Sequence, residues 1–284
     1  MSQMQDAPFS IPAHERVLAG NACRHLSEAD RASLARAARL YVSAHGLMPR
    51  TLGQLGRYAG GAIERAMGMI APAIRQKIEE TASDVLWSLL GAARLGLADT
   101  ADSPARNRLY QGSVIASGAV SGFFGGPALV AEIPFAMTLM FRAIAEIARD
   151  SGEDLSALET RRACLEVFGL GAIRDPEADV EASFWAVRAA LTQAPIAVFL
   201  RTIAGRLSVT LSEQALAGAV PVIGALAGAG ANYYFMRHFQ TMADIHFTIR
   251  RIERDNPNPE PVRVCFDALV KAYRADQSLF RRAA

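Results

Sequence analysis

The chain has 284 residues, of which 51% are hydrophobic and 20% charged, with a net charge of +2. A mean hydropathy of +0.15 lies between that of a cytosolic enzyme and that of an integral membrane protein, and the near-zero charge excludes nucleic-acid binding by bulk electrostatics. Only Lys77 and Lys271 are lysines, so almost all the positive charge is carried by arginine. Residues 1–12 are polar, with Pro8 and Pro12, and read as loose. From 12 to 45 the Ala, Leu and Arg residues recur with helical period. Ser27, followed by Asp30, is a candidate N-cap, and Gly46 and Pro49 are expected to close the unit. Residues 50–72 read as a glycine-weakened helix. Pro72 is a candidate first residue of a helix reaching about Leu97, and 98–108 reads as a loop.

Gly112–Arg149 is the organising stretch. Gly118, Gly122 and Gly126 share one helical face, where absent side chains let another backbone approach closely. Pro127 and Pro134 interrupt an apolar run that carries one carboxylate, Glu132. A turn at 151–154 contains Gly152, and a charge-rich helix follows over about 156–170, with Glu159, Arg161, Arg162 and Glu166. After a turn at 175–177, helix resumes over 180–207 with a kink at Pro195. Gln214–Phe235 echoes the central stretch, with Gly224 and Gly228 at the same spacing, Pro221, and Asn232 as its one strong polar group. Gly118-Ala119-Val120 and Gly218-Ala219-Val220 open the two stretches alike, as either an ancestral repeat or chance would leave them. An amphipathic helix runs to Arg254, DNPNPEP stops it, and a last helix covers about 262–281. Period-two alternation is absent. The predicted fold is all-α, one multi-helix domain with the two glycine-rich helices packed in its core. Residues 1–80 would be accessory, 81–254 the core, and 255–284 a helix packed on it.

Cys23, Cys164 and Cys265 are odd in number and far apart in sequence, with no CxxC. Free thiols, no zinc site and a reducing compartment are expected. The opening MSQMQDAPFSIPAHER lacks the basic and apolar regions of a secretory leader, which places the expected location on the cytoplasmic side.

These features resemble the EcsC family of bacterial proteins. The first block of matching residues is Gly118, Gly122, Gly126, Glu132, Pro134, Arg142, Ile147, Ala148, Gly152, Asp154 and Arg161. The second is Pro221, Gly224, Gly228, Asn232, Ala243, Phe247 and Arg250. The resemblance covers about Thr81 to Arg254. Where the family carries aspartate before its x-Pro step, this chain carries Glu132, the same charge on a longer arm. The family is named for a gene beside an ABC-type transporter operon and has no established enzymatic activity. The resemblance therefore implies a membrane-connected helical protein, with lipid or a membrane complex such as an ABC-type transporter as partner, and transfers no catalytic residue.

The runs Val114–Ile133 and Ala215–Ala231 reach the length of a membrane span. Their Gly, Ala and Ser gain little from hydrocarbon, so burial within the protein or peripheral contact is expected ahead of insertion. Flanking arginines on both sides give no orientation.

Glu132 in an apolar run must be paired, protonated or near water. Arg142 and Glu146 lie near its face on a continuous helix, and Asn232 and His246 could join it in a polar cleft. These five form a candidate ligand pocket, against which stand a structural ion pair for Glu132 and a helix cap or cross-helix bond for Asn232. His238, Asp244 and His246 lack HExxH spacing, and Ser121 sits in no GxSxG elbow. No P-loop is present, so no metal, cofactor or catalytic residue is assigned. The arginines closing the helix at 235–254, with Arg281 and Arg282, suit anionic lipid heads or a solvated basic face equally. Three functions follow as expectations: a non-enzymatic, membrane-associated protein; a domain binding a hydrophobic small molecule or lipid; and a soluble scaffold that oligomerises through its small-residue faces.

Overall fold

The computed structural model describes residues 12–58, 72–91, 111–120, 126–171, 180–205 and 221–283. Among them every regular element is a helix, as expected, and there are ten: α1 (Ala13–Ala19), α2 (Glu28–Tyr58), α3 (Pro72–Gly91), α4 (111–120), α5 (Gly126–Asp150), α6 (Leu158–Gly171), α7 (Val180–Gln193), α8 (196–205), α9 (Pro221–Asp255) and α10 (Glu260–Ala283). They fall into two compact units. One comprises 1–43 with 248–284, the other 44–247, so α2 and α9 each contribute residues to both.

In the first unit the helix ends follow local chemistry. Ser27 Oγ accepts the Asp30 amide at 3.1 Å, which makes it the N-cap of α2, and donates to the Asp30 carboxylate at 2.8 Å. α10 buries Val262, Cys265, Phe266, Leu269 and Val270, the i, i+3, i+4, i+7, i+8 stripe of a surface helix. Phe266 meets Tyr41 of α2 edge-on, with ring centroids 5.8 Å apart. Arg251 lies 3.6 Å from Asp30.

α1 has no buried residue; it packs on α10, where the His14 ring stacks on Tyr273 with centroids 4.5 Å apart, and its first turn is bonded to an α10 side chain. Asp276 of α10 accepts the Ala13 amide on Oδ1 at 2.9 Å and the His14 amide on Oδ2 at 3.3 Å, and His14 Nδ1 lies 2.8 Å from the same Oδ2. A side chain 263 residues away thus does the work of an N-cap. Burial pushes the Asp276 carboxyl up, but the bonds from His14 and from the two amides outweigh it and hold it below the ordinary range. A carboxyl depressed by folding stabilises the fold above its unfolded value, about 3.9, and the contribution disappears as pH falls through the lower folded value. Protection factors over 13–19, which remove the intrinsic pH dependence of amide exchange, are therefore expected to hold from neutral pH to about pH 4 and to fall below it. Asp276→Ala is expected to remove that pH step and give fast exchange already at neutral pH.

Cys23 and Cys265 form a disulfide, with Cα atoms 4.8 Å apart, and Cys164 is a buried free thiol. This corrects the expectation of three free thiols. The partners stand 242 positions apart with no pattern to link them in sequence, and the inference of a reducing compartment loses its basis, since disulfides persist where thiols are oxidised.

α2 also departs from expectation by running through Gly46 and Pro49. A proline removes one i→i−4 bond, and a long cooperative helix survives that loss.

In the second unit α6 is the centre. Every residue from Ala163 to Gly171 is buried, with α3, α5 and α7 packed against it. The sequence reading takes this segment as a charge-rich helix, but its charges cluster in the first two turns and only Glu166 enters the buried part. Close approach is made by glycines in α6. A Cβ on Gly169 would meet Leu191 Cδ1 at 2.6 Å, and one on Gly171 would meet the Phe239 ring at 2.6 Å.

Among the predicted packing glycines, Gly118 is buried on α4, and Gly122 lies outside the described residues. Gly126 opens α5, and Gly224 and Gly228 lie on α9, with surroundings also outside the described residues. A glycine-faced helix pair in the core is thus not part of the described structure.

α5 ends as the turn signal requires. Gly152 has φ 80°, the Glu153 amide bonds to the Ala148 carbonyl at 3.1 Å, and the Gly152 amide bonds to that of Arg149 at 2.8 Å. This is a Schellman end, in which a side chain at Gly152 would be strained. Pro195 breaks the α7–α8 segment after Gln193, rather than kinking a continuous helix.

Candidate functional site

Glu132 and Asn232 come together. Glu132 Oε1 accepts from Asn232 Nδ2 at 2.5 Å and from Ser117 Oγ at 2.7 Å. Asn232 Nδ2 also donates to the Val114 carbonyl at 2.9 Å. Both side chains are buried. One carboxylate therefore joins α4, α5 and α9, and the cost of burying it is offset by charge-assisted bonds. α5 continues through Pro134, and Thr138 Oγ1 bonds to the Pro134 carbonyl at 2.7 Å.

The other three candidates stand elsewhere along these helices. Arg142 and Glu146 follow Glu132 by ten and fourteen residues on α5, about 15 and 21 Å of rise, and His246 follows Asn232 on α9 by about 21 Å. Glu146 is buried. The Arg142 Nε is also buried, with no hydrogen-bond partner.

His246 belongs to a second polar cluster, built around Glu166, which the sequence reading leaves out. His246 is fully buried, with Nε2 3.6 Å from Glu166 Oε2. Thr192 Oγ1 lies 3.2 Å from Glu166 Oε1 and 2.9 Å from the Arg188 carbonyl. The Arg162 Nε stands 4.0 Å from Glu166. Arg162 Nη2 donates to the carbonyls of Leu191 at 2.5 Å and Ala194 at 2.6 Å, which caps the C-terminus of α7. Its guanidinium lies 4.8 Å from the centre of the Phe199 ring. Arg162 thus links α6, α7 and α8, and Glu166 extends the link to α9. The available signal was ACLEVFGLG at 163–171, a buried-helix composition with one charge.

His238 Nε2 lies 2.8 Å from the Gly171 carbonyl. Among the described residues no three His, Cys, Asp or Glu side chains are grouped as a metal ion requires. Ser121 lies outside the described residues.

Two surface features accompany these clusters. Val120, Phe135 and Tyr233 are 58%, 48% and 46% exposed. Val120 follows Ser117 by three residues, Phe135 follows Glu132 by three, and Tyr233 follows Asn232 directly. Each helix entering the Glu132 junction therefore presents a large apolar side chain within one turn of it. Separately, a groove of about 570 Å³ lies between α3 and α8, lined by Gln76, Glu79, Glu80, Ser83, Asp84, Arg201 and Ala204. None of the five sequence-derived candidates lines it. No helix among the described residues is long and apolar enough to cross a membrane.

No curated protein and no solved structure matches the chain. A model of the EcsC protein family matches residues 73–252. That span takes in the Glu132 junction, the Glu166 cluster and the α3–α8 groove, and it covers well over half of the chain: the protein is a member of the EcsC protein family.

Proposed function

We propose that this chain is a non-enzymatic EcsC-family protein that attaches peripherally to a lipid bilayer through Val120, Phe135 and Tyr233. The observation that carries the reading is Phe135, half-exposed beside the exposed Pro134 on a helix whose neighbouring turn is fixed by the buried Glu132. Large apolar side chains held outward by a rigid polar junction suit insertion to the depth of the headgroups. Arg237, exposed one turn beyond Tyr233 on α9, suits anionic lipid at the same surface.

Flotation with liposomes tests the reading. The protein is expected to float with vesicles containing anionic lipid, and to lose most of that binding in high salt or carbonate. Phe135→Ser and Tyr233→Ser are each expected to weaken partitioning about tenfold or more, from the apolar transfer free energy of the side chain. Absence of flotation under every condition would sink the proposal.

A further inference from the structure

We propose that the α3–α8 groove is a binding site for a phosphoethanolamine headgroup, a zwitterion with a primary ammonium beside a phosphate. α3 supplies Glu79, Ser83 and Asp84 to the groove, and α8 supplies Arg201. One wall is thus acidic and the other carries a guanidinium. Glu79, Asp84 and Arg201 take part in no hydrogen bond or ion pair with each other or with other described residues, unlike Glu80, which holds Gln76 and Lys77. Opposite charges that face one volume without closing on each other leave room for a ligand bearing both signs.

The chemistry of the walls selects the ligand. A primary ammonium has three N–H donors, and Glu79, Ser83 and Asp84, spread over about 140° of α3, all present acceptors to the groove. A quaternary ammonium has no such donors and calls for an aromatic cage, which the lining residues do not provide. The Arg201 fork matches a phosphate. The same two faces continue into apolar side chains: Trp87 follows Asp84 by three residues, Val198 precedes Arg201 by three, and both are about half exposed. They would meet the glycerol and upper acyl carbons of a lipid.

None of the residues lining the groove is Val120, Phe135 or Tyr233, so the two proposals fail separately. Calorimetric titration of the intact protein with soluble O-phosphoethanolamine tests the groove alone. Saturable binding is expected, with phosphocholine, ethanolamine and inorganic phosphate each at least about tenfold weaker. Arg201→Gln, and the double substitution of Glu79→Gln with Asp84→Asn, are each expected to weaken it by about the same factor. These are exposed or half-exposed positions, so circular dichroism should be unchanged, and Phe135→Ser should bind like the parent.

Vesicles with and without phosphatidylethanolamine, at constant anionic content, separate the two sources of the headgroup. Binding to the free headgroup without preference among vesicles identifies a soluble ester. Arg201-dependent preference for phosphatidylethanolamine vesicles identifies the lipid. No saturable binding in either format, or binding that ignores Arg201→Gln, overturns the proposal, as does equal affinity for phosphocholine.

Discussion

Replacing Arg162 by methionine is expected to lower unfolding stability by about 3 kcal/mol, from the sum of lost carbonyl bonds and lost charge compensation. Arg162 does three things at once: it caps the Leu191 and Ala194 carbonyls, lies over the Phe199 ring, and stands beside the buried Glu166 carboxylate. Methionine fills much of the space and keeps the apolar contact with Phe199, but it provides no donor. Lysine restores the charge without a planar fork and cannot serve two carbonyls in the same geometry, so Arg162→Lys should recover only part of the loss. Trp185 on α7 reports the local event, since it packs edge-on against Phe184. Urea denaturation followed by Trp185 fluorescence, in a Trp87→Phe background, measures it. A change below about 1 kcal/mol, the scale of a surface pair, would mean that Arg162 merely decorates the end of α7.

Asn232→Leu is the second large effect, at about 2–4 kcal/mol. Its amide nitrogen donates both to Glu132 and to the Val114 carbonyl, so leucine withdraws a donor from a buried carboxylate. Glu132→Met should cost less, because Asn232 keeps its bond to Val114. The double variant should cost less than the sum of the two singles, since an apolar pair needs no hydrogen bonds. The expected coupling is about 1–3 kcal/mol. Strict additivity in chemical denaturation would show that Glu132 and Asn232 do not act as a pair. The singles should also weaken flotation, because Phe135 and Tyr233 ride on the helices that this junction aligns.

Where the chain turns was legible because turns are local chemistry. Ser27 and Asp30 lie three residues apart, Gly152 supplies a conformation that other residues resist, and three prolines follow α9; Pro195 reads as a kink but ends a helix, and Gly46 and Pro49 read as a stop but lie within α2. The all-helical fold and the family were legible for the same reason, since period and spacing survive in a single sequence. Of the candidate site, Glu132 and Asn232 stood out as polar residues in apolar runs, and the structure places them in contact. The Glu166 cluster was hidden by its neighbours: Glu159, Arg161 and Arg162 made the helix look solvated, while its buried half carries only one charge. Gly169 and Gly171 lacked the four-residue spacing that drew attention to Gly118 and Gly224, yet they are the glycines closely approached by Leu191 and Phe239. Long-range partners outside those two apolar runs left no such trace. Asp276 reveals nothing about α1 until the fold brings the two together.

The Cys23–Cys265 bond changes what kind of polymer this chain is. Residues 23 to 265 form a covalent ring, and the whole of the family-matched span 73–252 lies inside it. A ring of this size has far fewer unfolded arrangements than an open chain, and loop-closure entropy puts the difference at about 5 kcal/mol. The constraint acts on the unfolded ensemble, so it is independent of any contact within α3 to α9. A single cut anywhere in the ring would open it without dividing the molecule. The EcsC segment therefore remains tethered at both ends even where its own helices come apart.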